Sequence, residues 1–219
     1  MSLVDHVAEP SSWDSAVFGV QVSVLSLGDG EVPDPGVVRR VNPGCDVVFV
    51  KAHGWRDVPL GVVADDHLYD MEGEFLRAPG AAAPAQVDST PQWVLDLACV
   101  AFSDSRFLRD SRLAHRAGEF YATWCRASAA RKQLYILGGT LLALGSDADG
   151  AHRVELIATA EPCRSSGGGE ALFRALVALC PGVWRVKVAA RNWRAVRFYE
   201  RLGFRVRAAA TAWHVWAHE

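Results

Sequence analysis

The sequence lacks most of the features that would place it in a specialised class of protein. No apolar run in its 219 residues approaches the 18 residues of a membrane-spanning helix, and its first residues show no signal-peptide pattern of charge followed by apolar residues. Its net charge of −2 is unlike the basic excess of proteins that bind nucleic acid or anionic membranes in bulk. We therefore expect a cytoplasmic protein with neither a membrane nor a nucleic acid as its partner.

Metal and disulfide signals are also missing. The five cysteines are scattered, and neither a Cys-x-x-Cys pair nor a mixed Cys/His ligand spacing is present. An odd number of unpaired cysteines indicates free thiols in a reducing compartment, and we expect no metal site. What the sequence does contain is 50% apolar residues, which is enough for a core in one large domain or two small ones.

The composition changes along the chain and predicts two domains. Residues 1–78 are rich in strand patterns, residues 79–92 carry three prolines and no large apolar side chain, and residues 93–219 alternate between strand and helix. The predicted strands are 17–27, 46–54, 61–77, two within 133–146, 152–160, 182–190 and, as a strand or a hairpin, 205–219. The predicted helices are 34–42, 91–102, 114–132, the run after Gly169 and 192–204. These patterns predict a smaller strand-rich domain, a linker and an α/β domain with parallel crossovers.

Three consecutive glycines, Gly167 to Gly169, stand directly before a run with apolar residues at steps of three and four. Glycine is a poor start for a helix because it holds the backbone less firmly than any other residue. A helix N-terminus has unpaired N–H groups and a positive dipole, and it binds phosphate where no side chain blocks the approach. With Arg164 the pattern is Arg-x-x-Gly-x-Gly, which lacks the Lys-Ser/Thr of a P-loop and fits either a phosphate site or a plain loop.

A second motif follows one helix and one strand later. It has the form Asn-x-x-Ala-x-x-Phe-Tyr-x-x-x-Gly-Phe, with Asn192, Ala195, Phe198, Tyr199, Gly203 and Phe204. The order and distance of the two motifs resemble those of the GNAT superfamily of acyl-CoA-dependent N-acyltransferases, over roughly residues 95–219. Ser165 in place of glycine and Gly168 in place of an aliphatic residue depart from that pattern without removing a backbone N–H. The resemblance implies an α/β GNAT fold, with a mixed, twisted central sheet flanked by helices, and acetyl-CoA or another acyl-CoA as the cofactor.

The same resemblance implies a set of cofactor contacts. They are Thr159, Arg164, Ser165, Ser166, Gly167, Gly168, Gly169, Glu170, Asn192, Ala195, Phe198 and Tyr199. Among them, Tyr199 would also be catalytic, by protonating or hydrogen-bonding the departing thiolate; the alternative is a helical tyrosine that only packs its ring. Asn192 is either solely the N-cap of its helix or also a contact to the cofactor.

The reaction also needs a route for the proton of the incoming ammonium, since only the neutral amine attacks a thioester. Glu155, on the strand before the glycine loop, is the candidate for taking that proton through a water molecule. The alternative is a strand carboxylate that simply faces solvent. His115, His152 and His214 have no partner in the sequence and are more simply explained as surface or packed residues.

A narrower resemblance concerns the acceptor. Residues 11–27, with Trp-Asp-Ser-x-x-Phe-Gly-x-x-Val, and segments 103–110 and 120–128 resemble the dTDP-fucosamine acetyltransferase group, which acetylates the amine of a nucleotide-linked 4-amino-4,6-dideoxy sugar. This resemblance implies an acceptor site shared by both domains and formed by Arg106, Phe107, Tyr121 and Trp124. Arg106 would suit a phosphate or carboxylate, or else it forms a salt bridge between helices.

Several alternatives stay open. The alternative acceptors are an amino acid, an antibiotic amine and a protein N-terminus. The non-enzymatic alternative is a domain that binds acyl-CoA or a partner but catalyses no reaction. Residues 185–207 hold eight basic side chains against one acidic, which fits a solvated helix face, a rim that attracts phosphates or, without any recognised motif, a nucleic-acid surface. Both a monomer and a homodimer fit the sequence.

Overall fold

The fold is seen in a computed structural model that describes residues 7–28, 32–60, 62–77 and 83–218. The strands are β1 (Glu9–Pro10), β2 (Val22–Leu27), β3 (Val47–His53), β4 (Val63–Phe75), β5 (Ala85–Val87), β6 (Leu134–Leu137), β7 (Thr140–Ser146), β8 (His152–Thr159), β9 (Gly182–Ala189) and β10 (Arg205–Trp216). The α-helices are α1 (Ser12–Phe18), α2 (Pro35–Val41), α3 (Gln92–Ala101), α4 (Arg106–Arg109), α5 (Ala114–Ala130), α6 (Gly168–Leu179) and α7 (Trp193–Leu202). Among these residues, no helix combines the length and apolar character needed to cross a membrane.

The ten strands of the described residues belong to one mixed sheet, in the order β1-β2-β3-β10-β4-β9-β8-β7-β6-β5. The pairs β2/β3 and β8/β9 are parallel, and the other neighbours are antiparallel. Each parallel pair is joined by a connection that contains a helix, α2 between β2 and β3 and α6 between β8 and β9, as crossover connections require. The mixed sheet flanked by helices confirms the predicted fold class.

Strands from both predicted domains share this sheet. The strand β4, from the N-terminal part, lies between β9 and β10 of the C-terminal part, where Met71 faces Val186 on one side and Val206 on the other. The division into two domains stays a prediction. Part of the predicted linker is a strand, because Ala85–Val87 pairs with β6, while residues 79–82 lie outside the described residues. A three-residue edge strand is stabilised by its neighbour and leaves little trace in local composition.

The strand predicted over residues 17–27 is wrong in its first part. Residues Ser12–Phe18 form the helix α1, and the strand begins only at Val22. The helix begins where the Ser11 side chain accepts a hydrogen bond from the Asp14 amide, and it ends at Gly19 with φ +72°. The β-branched and aromatic residues at its end are buried in the core, and burial outweighs their strand propensity.

Side chains on the two faces of the sheet form separate cores. On one face, Leu141 and Ala143 pack with residues of α1, α3, α4 and α5. On the other, Leu142 and Leu144 pack under α6 and α7, while a smaller cluster with Val38 of α2 continues that face beside β3. We call the first the α5 face and the second the α6 face. The alternation follows from the two-residue period of a strand.

Candidate active site

The sheet opens between its central parallel strands. The strands β8 and β9 pair only at His152↔Trp184, Arg153↔Arg185 and Val154↔Val186. Beyond these pairs β8 stays bonded to β7 as far as Thr159, and β9 stays bonded to β4 as far as Ala189. The two halves of the sheet therefore separate at the carboxyl ends of two parallel strands, which is where open α/β sheets bind their ligands.

A β-bulge in β8 lies where the strands begin to separate. Ala143 of β7 faces Leu156 while Leu144 faces Val154, so Glu155 is the extra residue. A bulge bends its strand and increases the local twist, which turns β8 away from β9. At the closed end, Arg185 of β9 forms ion pairs with Glu72 of β4 at 2.9 Å and with Asp147, in the turn before β8, at 3.2 Å. These ion pairs hold β9 to the strands on both of its sides.

Two helix N-termini meet at the open end. Helix α6 follows β8 and helix α7 follows β9, so both helices begin at the edge where the strands separate. They also lie close together, because a Cβ built on Gly169 would come within 3.4 Å of the Phe198 ring. Each N-terminus carries a partial positive charge, and together they favour an anionic ligand at this edge.

The loop before α6 presents free backbone donors. Within the described part of the chain, the amides of residues 165–170 form no hydrogen bond, and the first bonded amide is that of Ala171, to the Gly167 carbonyl at 2.9 Å. Gly167 has φ +82° and open space beside its Cα, and Ser165 also has a positive φ of 62°. Consecutive N–H groups at the start of a twelve-residue helix form a site for phosphate.

Gly168 allows the loop to approach the sheet. A Cβ on Gly168 would lie 2.8 Å from the Thr140 hydroxyl, which in turn lies 3.0 Å from the Thr159 hydroxyl. The Arg164 guanidinium folds back and donates to the Thr159 carbonyl at 3.3 Å. Gly167 is therefore needed for its backbone conformation and Gly168 for close packing against Thr140, whereas a Cβ on Gly169 would only reach ordinary contact with Phe198 at 3.4 Å.

The remaining residues implied as cofactor contacts lie around this loop and the start of α7. The Ser166 hydroxyl donates to the Cys163 carbonyl at 2.6 Å, and the Glu170 carboxylate pairs with Arg174 at 2.8 Å, so that only its amide faces the loop. Asn192 caps α7 by accepting from the Ala195 amide at 3.2 Å. Its side-chain amide has no partner among the described residues, which leaves it free to donate.

Tyr199 lies on the α6 face with its ring in the core. The residue is 3% exposed, and its ring contacts Phe198 at 5.2 Å and Phe204 at 5.3 Å. Burial raises the pKa of the phenol, so it stays protonated at neutral pH. Its hydroxyl forms no hydrogen bond with any described residue. The buried ring fits a packing role for Tyr199. The unbonded hydroxyl fits a role as the donor to the departing thiolate.

Glu155 faces the α5 side of the opening and is not a solvent-facing strand carboxylate. Its side chain is 13% exposed, and its Oε2 accepts a hydrogen bond from the Trp124 indole at 3.0 Å. Arg153 lies 3.7 Å from Oε1 and Arg131 lies 3.9 Å from Oε2. A fixed carboxylate at the bulge, beside the separating strands, can accept a proton from a group on this face.

The predicted acceptor residues gather in an aromatic cluster on the same face. Phe107 is buried, and its ring centroid lies 4.5 Å from that of Phe120. The Phe120 centroid in turn lies 5.8 Å from that of Trp124. The Tyr121 hydroxyl donates to Ser105 at 2.7 Å. The Arg106 guanidinium lies 4.3 Å above the Phe107 ring and forms no ion pair within the described part of the chain.

A buried network beneath this cluster has no signal in local sequence. His214 is fully buried between Phe49 and Phe107, and its Nδ1 lies 2.7 Å from Asp110 Oδ2, which also accepts the Trp216 indole at 3.0 Å. Burial lowers the pKa of His214 to about 4, against a smaller opposing effect of the carboxylate. The imidazole is therefore neutral and donates to Asp110. The pair is separated by 104 positions, so His214 had no partner in the sequence.

The family follows from comparison with known proteins. A model described as the acetyltransferase (GNAT) family matches residues 92–204, just over half of the chain. The chain therefore belongs to the GNAT acetyltransferase family, and it is a transferase of the acyltransferase class. No protein of curated function matches its sequence.

Solved structures support the same fold. A GNAT-family protein from Novosphingobium aromaticivorans is 19% identical with a TM-score of 0.51, and the match covers 79% of this chain and 80% of that one. A GNAT acetyltransferase from Colwellia psychrerythraea is 10% identical with a TM-score of 0.50, over 77% and 65%. A conserved Staphylococcus epidermidis protein of unknown function is 9% identical with a TM-score of 0.62, over 95% and 91%. At these identities the likeness concerns the fold alone.

Proposed function

We propose that this protein transfers the acetyl group of acetyl-CoA to a primary amine of a small molecule, by direct attack of the amine on the thioester. The observation that carries the proposal is the unbonded run of amides at residues 165–170, beside the opening between β8 and β9. Phosphate oxygens are the natural acceptors for such donors at a helix N-terminus. Acetyl-CoA supplies a pyrophosphate for this site and a thioester as the activated acyl group.

The residues of the chain would divide the work between the two faces. The loop amides and Arg164 bind the pyrophosphate, and the Asn192 amide donates to the cofactor at the start of α7. On the α5 face, Glu155 accepts the proton of the amine, directly or through water, and Trp124 holds the carboxylate in place. The Tyr199 hydroxyl donates a proton or a hydrogen bond to the thiolate sulfur. Holding both substrates together contributes at most ~7–11 kcal/mol, and each proton-transfer group contributes about 10²–10⁴-fold.

The finer part of the proposal is a nucleotide-linked amino sugar as the acceptor. Its support is the likeness of residues 11–27, 103–110 and 120–128 to the amino-sugar acetyltransferases, together with the aromatic cluster in which the partly buried Trp124 packs against the core that contains Phe107 and Tyr121. The structure adds Trp13, which is 38% exposed and lies 6.3 Å from Trp124. Exposed indoles suit the stacking of a sugar or a base. We place this activity in the cytoplasm, where the five free cysteines would stay reduced.

Release of free CoA thiol tests the proposal. Purified protein with acetyl-CoA should release thiol when amino sugars, nucleotide-linked amino sugars, amino acids or aminoglycosides are added in turn. Mass spectrometry of the product should show one added acetyl group on the amine. Binding of acetyl-CoA without any amine-dependent thiol release would favour the non-enzymatic alternative of an acyl-CoA-binding domain.

A further inference from the structure

Two cations on the α5 face have no anionic partner in the described part of the chain: Arg106 of α4 and Lys51 of β3. The Arg106 guanidinium lies above the Phe107 ring at 4.3 Å, and that ring lies 5.5 Å from Phe49. Phe49 and Lys51 are two residues apart on one strand, so they point to the same face. The two cations therefore lie close together, near the aromatic cluster.

The carboxylates near this pair are already engaged. Asp66 lies 3.7 Å from Arg109 and 3.3 Å from Arg191. Asp14, on α1, accepts a hydrogen bond from the Ser11 hydroxyl at 2.6 Å. Lys187 of β9 adds a third positive charge to this face, and its ammonium lies 3.8 Å from the partly exposed Asp70 carboxylate.

Neither Lys51 nor Arg106 thus forms an ion pair with a described carboxylate, although Asp14 and Asp66 act on them from a greater distance. Burial and the nearby Arg106 lower the pKa of Lys51, with Asp14 acting in the opposite direction and Lys187 in the same one. Burial also lowers the pKa of Arg106, against the effects of Tyr121 and nearby carboxylates. Lys51 is exposed and Arg106 is partly buried. Two cations that repel each other are unfavourable without a counter-ion, and an anionic ligand would remove that penalty.

The sheet beneath the cations leaves room for a ligand. Lys51 faces Ala212 of β10, and the same face of β10 continues with Ala210 and Ala208 toward its exposed end. Because these side chains are small, the surface over β10 lies low between β3 and β4. Beyond Ala208 the surface continues into a cleft of about 240 Å³ that Lys187 also lines.

A row of aromatic side chains extends from the cations to the candidate base. The rings of Phe107, Phe120 and Trp124 follow one another at 4.5 and 5.8 Å, and the Trp124 indole holds Glu155. The row of rings places the cations and the carboxylate on the same face of the sheet, so one acceptor molecule that contacts both would lie over these rings. The positive charges at one end of this face suit an anionic group of the substrate, and the carboxylate at the other end suits its amine.

We propose that the acceptor carries an anionic group, a phosphate or a carboxylate, and that Lys51 and Arg106 bind this group while its amine lies beside Glu155. The inference rests on the proposed acetyl transfer and deepens it, by assigning the acceptor a second functional group and Lys51 a role in specificity. Charge-assisted hydrogen bonds from a lysine and an arginine favour such acceptors. The same two charges repel polyamines and other purely cationic amines.

Anion binding to the protein saturated with CoA tests this inference, because CoA occupies the amides of the glycine loop. Calorimetric titration with inorganic pyrophosphate and, separately, with malonate should show binding of at least one probe, and the tighter probe indicates phosphate or carboxylate. Lys51→Met should weaken that binding tenfold or more, and Arg106→Met should do the same. Lys132→Met is the matched control, since Lys132 is an exposed lysine in the turn before β6, and it should change nothing. Binding of neither probe, or equal loss in the control, would overturn the inference.

A kinetic measurement separates this inference from the proposed function. Glucosamine 6-phosphate is compared with glucosamine, and an amino acid with its amide, at saturating acetyl-CoA. The wild type should prefer the anionic member of at least one pair tenfold or more in kcat/KM, and Lys51→Met should abolish that preference through KM. Equal use of both members contradicts the inference while acetyl transfer stands. Anion binding that depends on Lys51 without acetylation of any amine contradicts the proposed function alone.

Discussion

At the scale of single residues, Tyr199 combines a buried ring with a hydroxyl that no described residue engages. Tyr199→Phe keeps the packing against Phe198 and Phe204 and removes only the donor. If the hydroxyl protonates the thiolate, kcat should fall by ~10²-fold or more, while acetyl-CoA affinity should barely change because the interaction forms mainly in the transition state. Tyr135→Phe, on β6, is the control and should leave kcat unchanged. A kcat of Tyr199→Phe within threefold of wild type, with chemistry rate-limiting, would make Tyr199 a packing residue only.

Glu155 is tested by a substitution that keeps its hydrogen bond. Glu155→Gln retains an oxygen for the Trp124 indole and removes the proton acceptor. Steady-state kinetics at neutral pH should show kcat/KM reduced by about 10²–10⁴-fold, with a thermal midpoint close to that of wild type. Reduced stability with unchanged kcat would instead assign Glu155 to holding the bulge and α5 together.

His214 predicts a pH dependence of stability. Its pKa is lowered to about 4 in the folded protein, against 6.5 for an unperturbed histidine, because it is buried between aromatic rings. The unfolded chain therefore binds a proton that the folded protein excludes, and stability should fall as the pH drops from about 6.5 to about 4, by roughly 3 kcal/mol. Urea unfolding at several pH values measures this loss. His214→Phe keeps a ring beside Phe49 and should lose most of this pH dependence; an equal slope in both proteins would contradict the assignment.

At the scale of elements, local signals account for the helices that build the site. Helix α7 begins at the Asn192 cap and ends at Gly203, which has φ +109°, as its sequence pattern predicts. Helix α6 was predictable from its apolar spacing, although nothing local shows that Gly168 is required by Thr140. That contact joins segments that are distant in the chain.

The elements that sequence reasoning missed depend on tertiary contacts. Helix α1 was not predicted, and its last two residues were assigned to the strand 17–27 because they are β-branched and aromatic, although Ser11 and Gly19 mark the ends of the helix. The separation of β8 and β9 depends on the bulge at Glu155, which only the pairing register reveals. The motifs thus identified the loop and α7, whereas the opening between them required the sheet topology.

At the scale of the whole molecule, the position of β4 makes the two parts of the chain one sheet. This strand lies between β10 and β9, and Met71 is fully buried in the core under α6 and α7. We expect Met71→Ala to destabilise the protein by about 2–5 kcal/mol. Differential scanning calorimetry should show one transition that moves as a unit. Two transitions, of which only the earlier moves, would support independent N-terminal and C-terminal domains.

The central claim is that the loop amides and the opening between β8 and β9 form one acetyl-CoA site, with the acceptor on the opposite face. Calorimetric titration of Gly167→Val with acetyl-CoA tests it most directly, because this substitution places a branched side chain in the open space beside the free amides. Gly150→Val is the matched control: Gly150 also has a positive φ, of 85°, and open space, but it lies in the turn between β7 and β8. We predict at least a tenfold loss of affinity, about 1.4 kcal/mol or more, for Gly167→Val and none for Gly150→Val. Unchanged affinity in a folded Gly167→Val protein, or equal loss in both variants, would contradict the cofactor site.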